Sequence, residues 1–383
     1  MNFLPPDRVI LLTPEGRGAV ASLRVEGPRA AELVGRHFIG SNSSFVQGRI
    51  HVGRWGKTVP EEVVVCRLAP EQVELHCHGG AAAARRIIAE LVEAGCGAVS
   101  WRAWIDSQES DPIRATARAL LAEARTERTA AILLDQYNGA LAQAIGELIA
   151  AAAKAMPSDN AASVVVRLDE LLGRAAIGLH LVEPWRVVLA GPPNAGKSSL
   201  INALVGFRRS IVHDQPGTTR DAVSVSAAFD GWPIELIDTA GLRISDDPLE
   251  IAGIDRGRQQ VATADAILLV FDASQPWTAE LAAMARQFPA AIVVHNKMDL
   301  VYSQAAATDR PPGMATGALN GTGIKALIDR VVAHLIGCEL PAGAAVPFAA
   351  SHAARLREAK QRIELREWSS AIAALRAING VEP

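Results

Sequence analysis

Apolar and polar positions change their period several times along this chain. Over the first 111 residues, short apolar runs are broken by turn residues. Val9-Ile10-Leu11-Leu12 and Ala19-Val20-Ala21-Ser22-Leu23-Arg24-Val25 read as strands flanking the loop Thr13-Pro14-Glu15-Gly16-Arg17-Gly18. Residues 30–38 carry helical spacing, 62–68 and 72–78 read as strands, and 81–94 return to a helical period. From 112 to 183 glycine becomes scarce and Ala, Leu, Arg and Glu dominate. There 113–134, 141–155 and 162–180 each predict a helix with one apolar face that must be covered, and Pro157-Ser158-Asp159-Asn160 is a loop and helix start. Residues 185–340 alternate strand with helix, the sign of a parallel sheet covered by helices. The strands expected are 186–190, 222–229, 234–237, 266–271, 291–295 and 313–316, and beyond Pro347 a last helix is expected over 349–377. Helical sequence on both sides of the α/β segment predicts a small N-terminal α+β domain (1–111), a helical domain (112–183 with 345–383), and an α/β domain (184–344) inserted into it.

Composition narrows the class. A chain of 383 residues suggests about two or three domains, and 49% hydrophobic residues give them cores. With a net charge of −3, nucleic acid is not bound mainly by charge, so any RNA contact is local or carried by a partner. Low aromatic content (4%) offers no stacking platform for bases either. Cys66, Cys77, Cys96 and Cys338 form no C-x-x-C pair, which argues against a structural zinc site or disulfide framework and fits a reducing compartment. No apolar run reaches the ~18 residues of a membrane span, and Asp7-Arg8 ahead of a short apolar run makes a poor signal peptide. A soluble, cytoplasmic protein with no membrane partner is expected. His76 and His78 point the same way from a strand and could hold a metal. The Gly79-Gly80 bend beside them supports a plain strand end instead.

The chemistry begins at Gly191-Pro192-Pro193-Asn194-Ala195-Gly196-Lys197-Ser198-Ser199, between an apolar strand and a helix. This is the context of a P-loop, in which backbone N–H groups and a helix N-terminus cradle phosphates. Lys197 supplies a charge for the terminal phosphates, and Ser198 a hydroxyl for magnesium. Downstream, Ile237-Asp238-Thr239-Ala240-Gly241 ends a strand, so Asp238 can reach magnesium through water and the Gly241 N–H can sense a γ-phosphate. Asn296-Lys297-Met298-Asp299 ends another. The Asp299 carboxylate can accept the N1–H and exocyclic amine of guanine, a donor pair adenine lacks, while Asn296 and Lys297 buttress base and loop. Gly317-Ala318-Leu319, ahead of Asn320-Gly321-Thr322-Gly323, is placed for a backbone N–H to meet guanine O6. Between the first two boxes, Gly217-Thr218-Thr219-Arg220-Asp221 offers a threonine as second protein ligand to magnesium, and Thr219 is the choice.

These residues resemble the translation-factor-like GTPases and, among them, the MnmE (TrmE) family of tRNA-modification GTPases. The family's G-x-P-N-A-G-K-S-S stands at 191–199, its I-V-x-D-x-x-G-T-T-R-D at 211–221, and its D-T-A-G-L-R at Asp238 to Arg243. Its N-terminal T-P-x-G-R-G-x-V matches Thr13 to Val20, its L-R-I matches Leu23-Arg24-Val25, and its E-L-x-x-H-G-G matches Glu74 to Gly80. The helical sequence after Ala124-Arg125-Thr126-Glu127 also fits the family. The fold implied is α/β: a P-loop (Ras-like) G domain inserted into an α-helical domain, with a small N-terminal α+β domain. By resemblance, His213-Asp214-Gln215-Pro216-Gly217-Thr218-Thr219 join the P-loop around GTP and Mg2+. A potassium ion replaces an arginine finger, with the Asn194 side chain and oxygens of His213, Gln215 and Thr218 as ligands. Glu250 orients the attacking water through a second water, with Asp246 and Asp247 as rivals in the same segment. The family also implies a homodimer, a flavin-containing MnmG-like partner, indirect contact with tRNA, and carboxymethylaminomethyl-type modification of the wobble uridine.

The family pattern is incomplete. Its folate-site run P-G-E-F-T-x-R-A-F-L-N-G-K is replaced by Ser100 to Asp111, and the closing F-C-I-G-K is not found before Pro383. Arg24 and Glu74 remain as candidate folate contacts, or as an ion pair of a small domain. Two readings follow: a working tRNA-modification GTPase, or a GTPase paralogue without one-carbon chemistry that acts as a dimerising regulatory or assembly switch.

Overall fold

A computed structural model describes residues 4–14, 18–40, 45–156, 161–207, 224–238, 262–301, 310–337 and 339–380. The chain divides into two units, Met1–Ser110 and Asp111–Pro383.

In the first unit, strands β1 (Arg8–Leu11), β2 (Val20–Glu26), β3 (Phe38–Gly40), β4 (Ile50–Trp55), β5 (Glu61–Ala69), β6 (Gln72–His78) and β7 (Gly97–Val99) form one sheet in the order β3-β4-β5-β6-β2-β1-β7. Only β1 and β7 pair in parallel. Alternation sorts the side chains. Leu23, Val25, Val63, Val65, Val73 and Leu75 are buried with Leu33 of helix α1 (Ala30–His37) and Ile87 and Leu91 of α2 (Ala81–Glu93). The opposite face carries Ser22, Arg24, Glu74 and His76, and leaves Ile50 and Val52 about 70% exposed. Sequence periodicity did not predict β4, because five of its six residues are not buried and its apolar alternation is weak. It also missed α3 (Trp101–Gln108), which Ser100 starts by accepting the Ala103 N–H on its hydroxyl.

The second unit opens with α4 (Pro112–Leu121), α5 (Glu127–Tyr137), α6 (Ala140–Ala155), α7 (Ala162–Gly173) and the short α8 (Ala175–Leu179). The single helix expected over 113–134 is two. Thr126 has extended backbone and caps a fresh start by accepting the Thr129 N–H, so helical phase is lost between Leu121 and Glu127. Likewise 162–180 breaks after Gly173.

The α/β part follows with β8 (Trp185–Ala190), α9 (Lys197–Phe207), β9 (Ser224–Phe229), β10 (Trp232–Asp238), β11 (Ala266–Asp272), α10 (Ala279–Gln287), β12 (Ile292–Asn296), β13 (Met314–Ala315) and α11 (Ile324–Ile336). Its sheet order is β13-β12-β11-β8-β10-β9. All neighbours are parallel except the β9–β10 hairpin, which turns at Asp230-Gly231 with both residues at positive φ (48° and 79°). That is the mirror-image turn that Asp-Gly favours, because its twist matches the strands.

The chain then returns to helix in α12 (Ala350–Glu364) and α13 (Trp368–Ile378), separated where Arg366 takes φ 63° rather than continuing the single helix expected. These two pack on α6 and α7, burying Leu356, Ile363, Leu375 and Ile378 in one core with Ile145, Leu148 and Leu168. The return linker is clamped by polar groups. Fully buried Gln136 donates to the Ala344 carbonyl (3.0 Å) and accepts from Val346 N (3.1 Å). Asp135 accepts from Gly343 N, and Arg174 donates to the Ala345 carbonyl.

One buried titratable group in this core has no evident task. His352 lies against the Phe348 ring (4.8 Å, edge-on), and burial pushes its pKa down to about 4. Its folded pKa lies below the ordinary histidine value, so the unfolded chain takes the proton first and stability falls as pH drops from about 6.5 towards 4. His352→Leu should flatten that loss by up to about 3 kcal/mol. Urea midpoints measured on either side of the window test this; parallel pH dependences in the two proteins would contradict it.

Candidate functional site

The carboxyl ends of β8, β10 and β12 share one edge of the parallel sheet, where open α/β sheets bind ligands. The loop after β8 starts in contact with backbone. Gly191 has φ 139°, and a Cβ there would stand 2.1 Å from the Val270 carbonyl of β11. Gly196, at φ 87°, leaves room for the Asn296 amide, which a Cβ would meet at 2.5 Å. Between them Asn194 is exposed at φ 61°, a conformation that asparagine tolerates better than most residues. Ala195 is buried and Ser199 exposed.

Lys197 opens α9 with its side chain turned inward. Only 7% of the residue is exposed, and Nζ donates to the carbonyls of Gly191 and Pro192 at 3.0 Å each. Burial pushes its pKa below the usual lysine range, and the Asp238 charge partly opposes that shift. A partly desolvated ammonium held only by neutral carbonyls is well placed to exchange them for phosphate oxygens. Ser198 Oγ donates to Asp238 Oδ2 at 2.6 Å, joining the P-loop to the end of β10. The other oxygen, Oδ1, is buried with no partner among the described residues. A hydroxyl beside a carboxylate with spare acceptor capacity is a hard-oxygen donor set of the kind magnesium takes.

The base side is organised by Asn296, which is 1% exposed. Its Nδ2 donates to the carbonyls of Ala195 (3.1 Å) and Gly196 (3.4 Å). Its Oδ1 accepts from Thr316 Oγ1 and Ala318 N, both at 3.2 Å. Lys297, at φ 64°, donates to Asp272 at 2.7 Å. Burial alone would raise the Asp272 pKa, but hydrogen bonds from Lys297 and Ser274 outweigh it and hold the carboxyl below its usual range. Asp272 was not singled out in the sequence; its only signal was an acidic residue closing an apolar strand. Met298 begins a short 3-10 turn and donates its N–H to the Thr316 carbonyl. Asp299 Oδ1 is buried without a partner among the described residues. A Cβ on Gly317 would meet Asn320 Oδ1 at 2.4 Å and approach the Asp299 oxygen to 3.1 Å, so glycine lets both side chains lie close to the backbone there. Leu319 stands at the rim, 83% exposed. His295, next to this cluster, accepts the Thr316 N–H on its backbone carbonyl at 2.8 Å; its ring Nε2 meets the Pro311 carbonyl at 2.9 Å, and burial lowers its pKa.

The structure thus brings together Asn194 to Ser199, Asp238, Asn296 to Asp299 and Gly317 to Leu319 along one sheet edge. His213, Asp214, Gln215, Pro216, Gly217, Thr218, Thr219, Thr239, Ala240, Gly241, Asp246, Asp247 and Glu250 lie outside the described residues.

In the first unit, Arg24 and Glu74 form an ion pair, each side chain about one-fifth exposed. The Arg24 guanidinium lies 5.3 Å from the Trp104 ring centre, and the Trp104 indole donates to Glu26 at 3.1 Å. Arg24 Nε and Glu26 Oε1 are buried without a hydrogen-bond partner among the described residues. His76 shares a hydrogen bond with Ser22 Oγ (2.8 Å) and His78 with Glu61 (2.7 Å). The two histidines thus have separate partners, and among the described residues no group of three metal-ligating side chains gathers. No helix among the described residues is long and apolar enough to cross a membrane.

Two family models match the chain. Residues 186–297 match the 50S ribosome-binding GTPase family, and residues 9–105 match the family described as GTP-binding protein TrmE N-terminus. Relatives described as tRNA modification GTPase MnmE align over most of the chain. The protein of Synechococcus sp. (strain WH7803) is 32% identical, over 82% of this chain and 78% of its own length. That of Chloroflexus aurantiacus is 34% identical, over 95% and 90%. That of Geobacillus kaustophilus is 32% identical, over 92% and 87%.

Proposed function

The chain belongs to the MnmE family of tRNA modification GTPases and hydrolyses GTP, and from that premise we propose how its residues divide the work. Guanine is selected by Asp299, and the observation that carries this is its buried Oδ1, which has no partner among the described residues. A buried carboxylate without donors costs free energy, and the N1–H and amine of guanine relieve that cost. Ala195, Gly196, Lys197 and Ser199 hold the phosphates, Asn296 fixes the phosphate loop to the base loop, and the Gly317-Ala318-Leu319 backbone meets guanine O6. Ser198 and Thr219 are the protein ligands for Mg2+, with Asp238 reaching it through water; bound there, the ion neutralises charge on the β- and γ-phosphates. The Asn194 side chain, with oxygens of His213, Gln215 and Thr218, holds K+, which supplies the charge an arginine finger otherwise brings. Its exposed amide at the loop crest suits that role. Glu250 orients the attacking water.

The cycle serves carboxymethylaminomethyl-type modification of the tRNA wobble uridine in the cytoplasm, by a homodimer with a flavin-containing partner that carries the contact with tRNA. We read three domains: 1–111, 112–183 with 345–383, and 184–344. The Arg24–Glu74 pair favours a second reading, in which one-carbon chemistry is lost and the protein is a dimerising regulatory or assembly switch.

Asp299→Asn should reduce the preference for GTP over xanthosine triphosphate by at least roughly a hundredfold, because the amide donates to the extra carbonyl of xanthine. Competition binding measures it, and an unchanged ratio refutes the assignment. GTP turnover should be at least about tenfold faster in potassium than in sodium at equal ionic strength; equal rates would remove Asn194 from the cation site. Nucleoside mass spectrometry of tRNA after deletion of the gene separates the two readings. Loss of the modified wobble uridine is expected, and unchanged tRNA supports the switch.

A further inference from the structure

We propose that Thr126 and Arg128 of α5 are positioning residues for the nucleotide site: they latch the tip of the β9–β10 hairpin and so keep Asp238, at the far end of β10, seated on Ser198. The inference rests on the reading of Asp238 and Ser198 as the metal-binding corner of that site.

The hairpin is poorly supported by its own sheet. β9 is an edge strand, and β10 pairs with β8 only over Ile234–Asp238. Trp232 and Pro233 pair with β9 alone, so the Asp230-Gly231 turn projects beyond β8. Helix α5 catches that projection. Thr126 Oγ1 donates to the Gly231 carbonyl at 2.6 Å, and Arg128 pairs with Asp230 at 3.0 Å. The Arg128 guanidinium lies 5.4 Å from the ring centre of buried Trp232. The approach is close enough that a Cβ on Gly231, at φ 79°, would meet the Arg128 Cβ at 2.9 Å. The exposed ion pair contributes little by itself; the hydroxyl bond to a backbone carbonyl carries most of the hold. Beside the latch, a cleft of about 1410 Å³ lined by Ala131, Asp135, Val332, Ile336 and Leu340 separates α5 from α11. The latch therefore bridges the two parts at the rim of a gap.

Strand β10 carries the constraint to the site. From Gly231 to Asp238 is about 23 Å of extended chain at ~3.3 Å per residue. β10 is paired on both sides only over Ile234–Ile237, and that short paired stretch passes a displacement of the tip along the strand axis. Sliding it by about an ångström stretches a 2.6 Å Ser198–Asp238 hydrogen bond out of range. By linkage, whatever fixes the tip then biases how the Asp238 corner receives a cation.

Thr126 has two roles, and substitution can separate them. Its oxygen caps α5 by accepting the Thr129 N–H, and its hydrogen goes to Gly231. Thr126→Asp keeps the cap acceptor but has no hydrogen to give and sets a carboxylate against the Gly231 carbonyl. Thr126→Ser keeps both. The readout is release of N-methylanthraniloyl-GDP from the full chain as Mg2+ is titrated. Thr126→Asp should raise the Mg2+ concentration for half-maximal retention about fivefold, with release in EDTA unchanged; Thr126→Ser should match the parent. Asp238→Asn is run alongside. If it shifts the midpoint and Thr126→Asp does not, the latch is overturned while the metal corner stands. If neither shifts it, the metal reading of Asp238 fails and the latch falls with it. A fall in melting temperature with an unmoved midpoint shows that the Thr126–Gly231 bond stabilises the fold without reaching the Asp238 corner, and also overturns the proposal.

Discussion

Four hydrogen bonds on one buried side-chain amide tie the nucleotide site together. Asn296 reaches one way to the carbonyls of Ala195 and Gly196, and the other way to Thr316 and Ala318. The phosphate loop and the base loop come from strands that are not neighbours, since β11 lies between β8 and β12. Nothing in the sheet ladder fixes their spacing at the level a nucleotide needs. An amide is suited to this because it donates and accepts at opposite ends of one rigid plane. Gly196 is required by the same arrangement, since any side chain there would occupy the volume of the Asn296 amide. The precision of the site is thus held by polar groups at the sheet edge, while the apolar core beneath supplies stiffness.

The same division appears where the helical and α/β parts meet. Gln136 is as buried as the leucines around it, yet it meets the returning linker through backbone donors and acceptors. A hydrophobic contact there would hold the linker without defining its register. Amide hydrogen bonds fix which residue lies opposite which, at the cost of requiring every partner to be present.

How much of this was legible beforehand depended on the kind of signal. Buried parallel strands such as Val187-Val188-Leu189-Ala190 announce themselves as apolar runs, and the glycine and proline punctuation of the P-loop reports its function directly. Asp299 and Gly317 could be named in advance as candidates for base contact because base selection demands particular atoms. Strand β4 was not, because its half-exposed residues owe their order to pairing with β5, which local periodicity does not record. The breaks at Thr126, Gly173 and Arg366 were lost for a related reason. Apolar spacing continues through them; at Thr126 only the cap and at Arg366 only the positive φ marks the change of direction, and Gly173 carries neither. The Lys297–Asp272 pair joins positions 25 apart in sequence, and no local pattern connects them. The Arg24–Glu74 pair, by contrast, was visible as an alternative because facing positions on adjacent strands often carry opposite charges.

The clamp at Gln136 also bears on how the chain is made. Its partners at Ala344 and Val346 lie 208 and 210 positions later. At about 5–20 residues per second, a ribosome takes roughly ten to forty seconds to cover that distance. Through that interval α5 and α6 exist without the helices that complete their core, and the α/β segment has time to form its own sheet first. The core of the helical part is completed only once α12 and α13 have been made. A nascent chain arrested before residue 344 keeps an exposed apolar surface, and such chains are natural clients for chaperones.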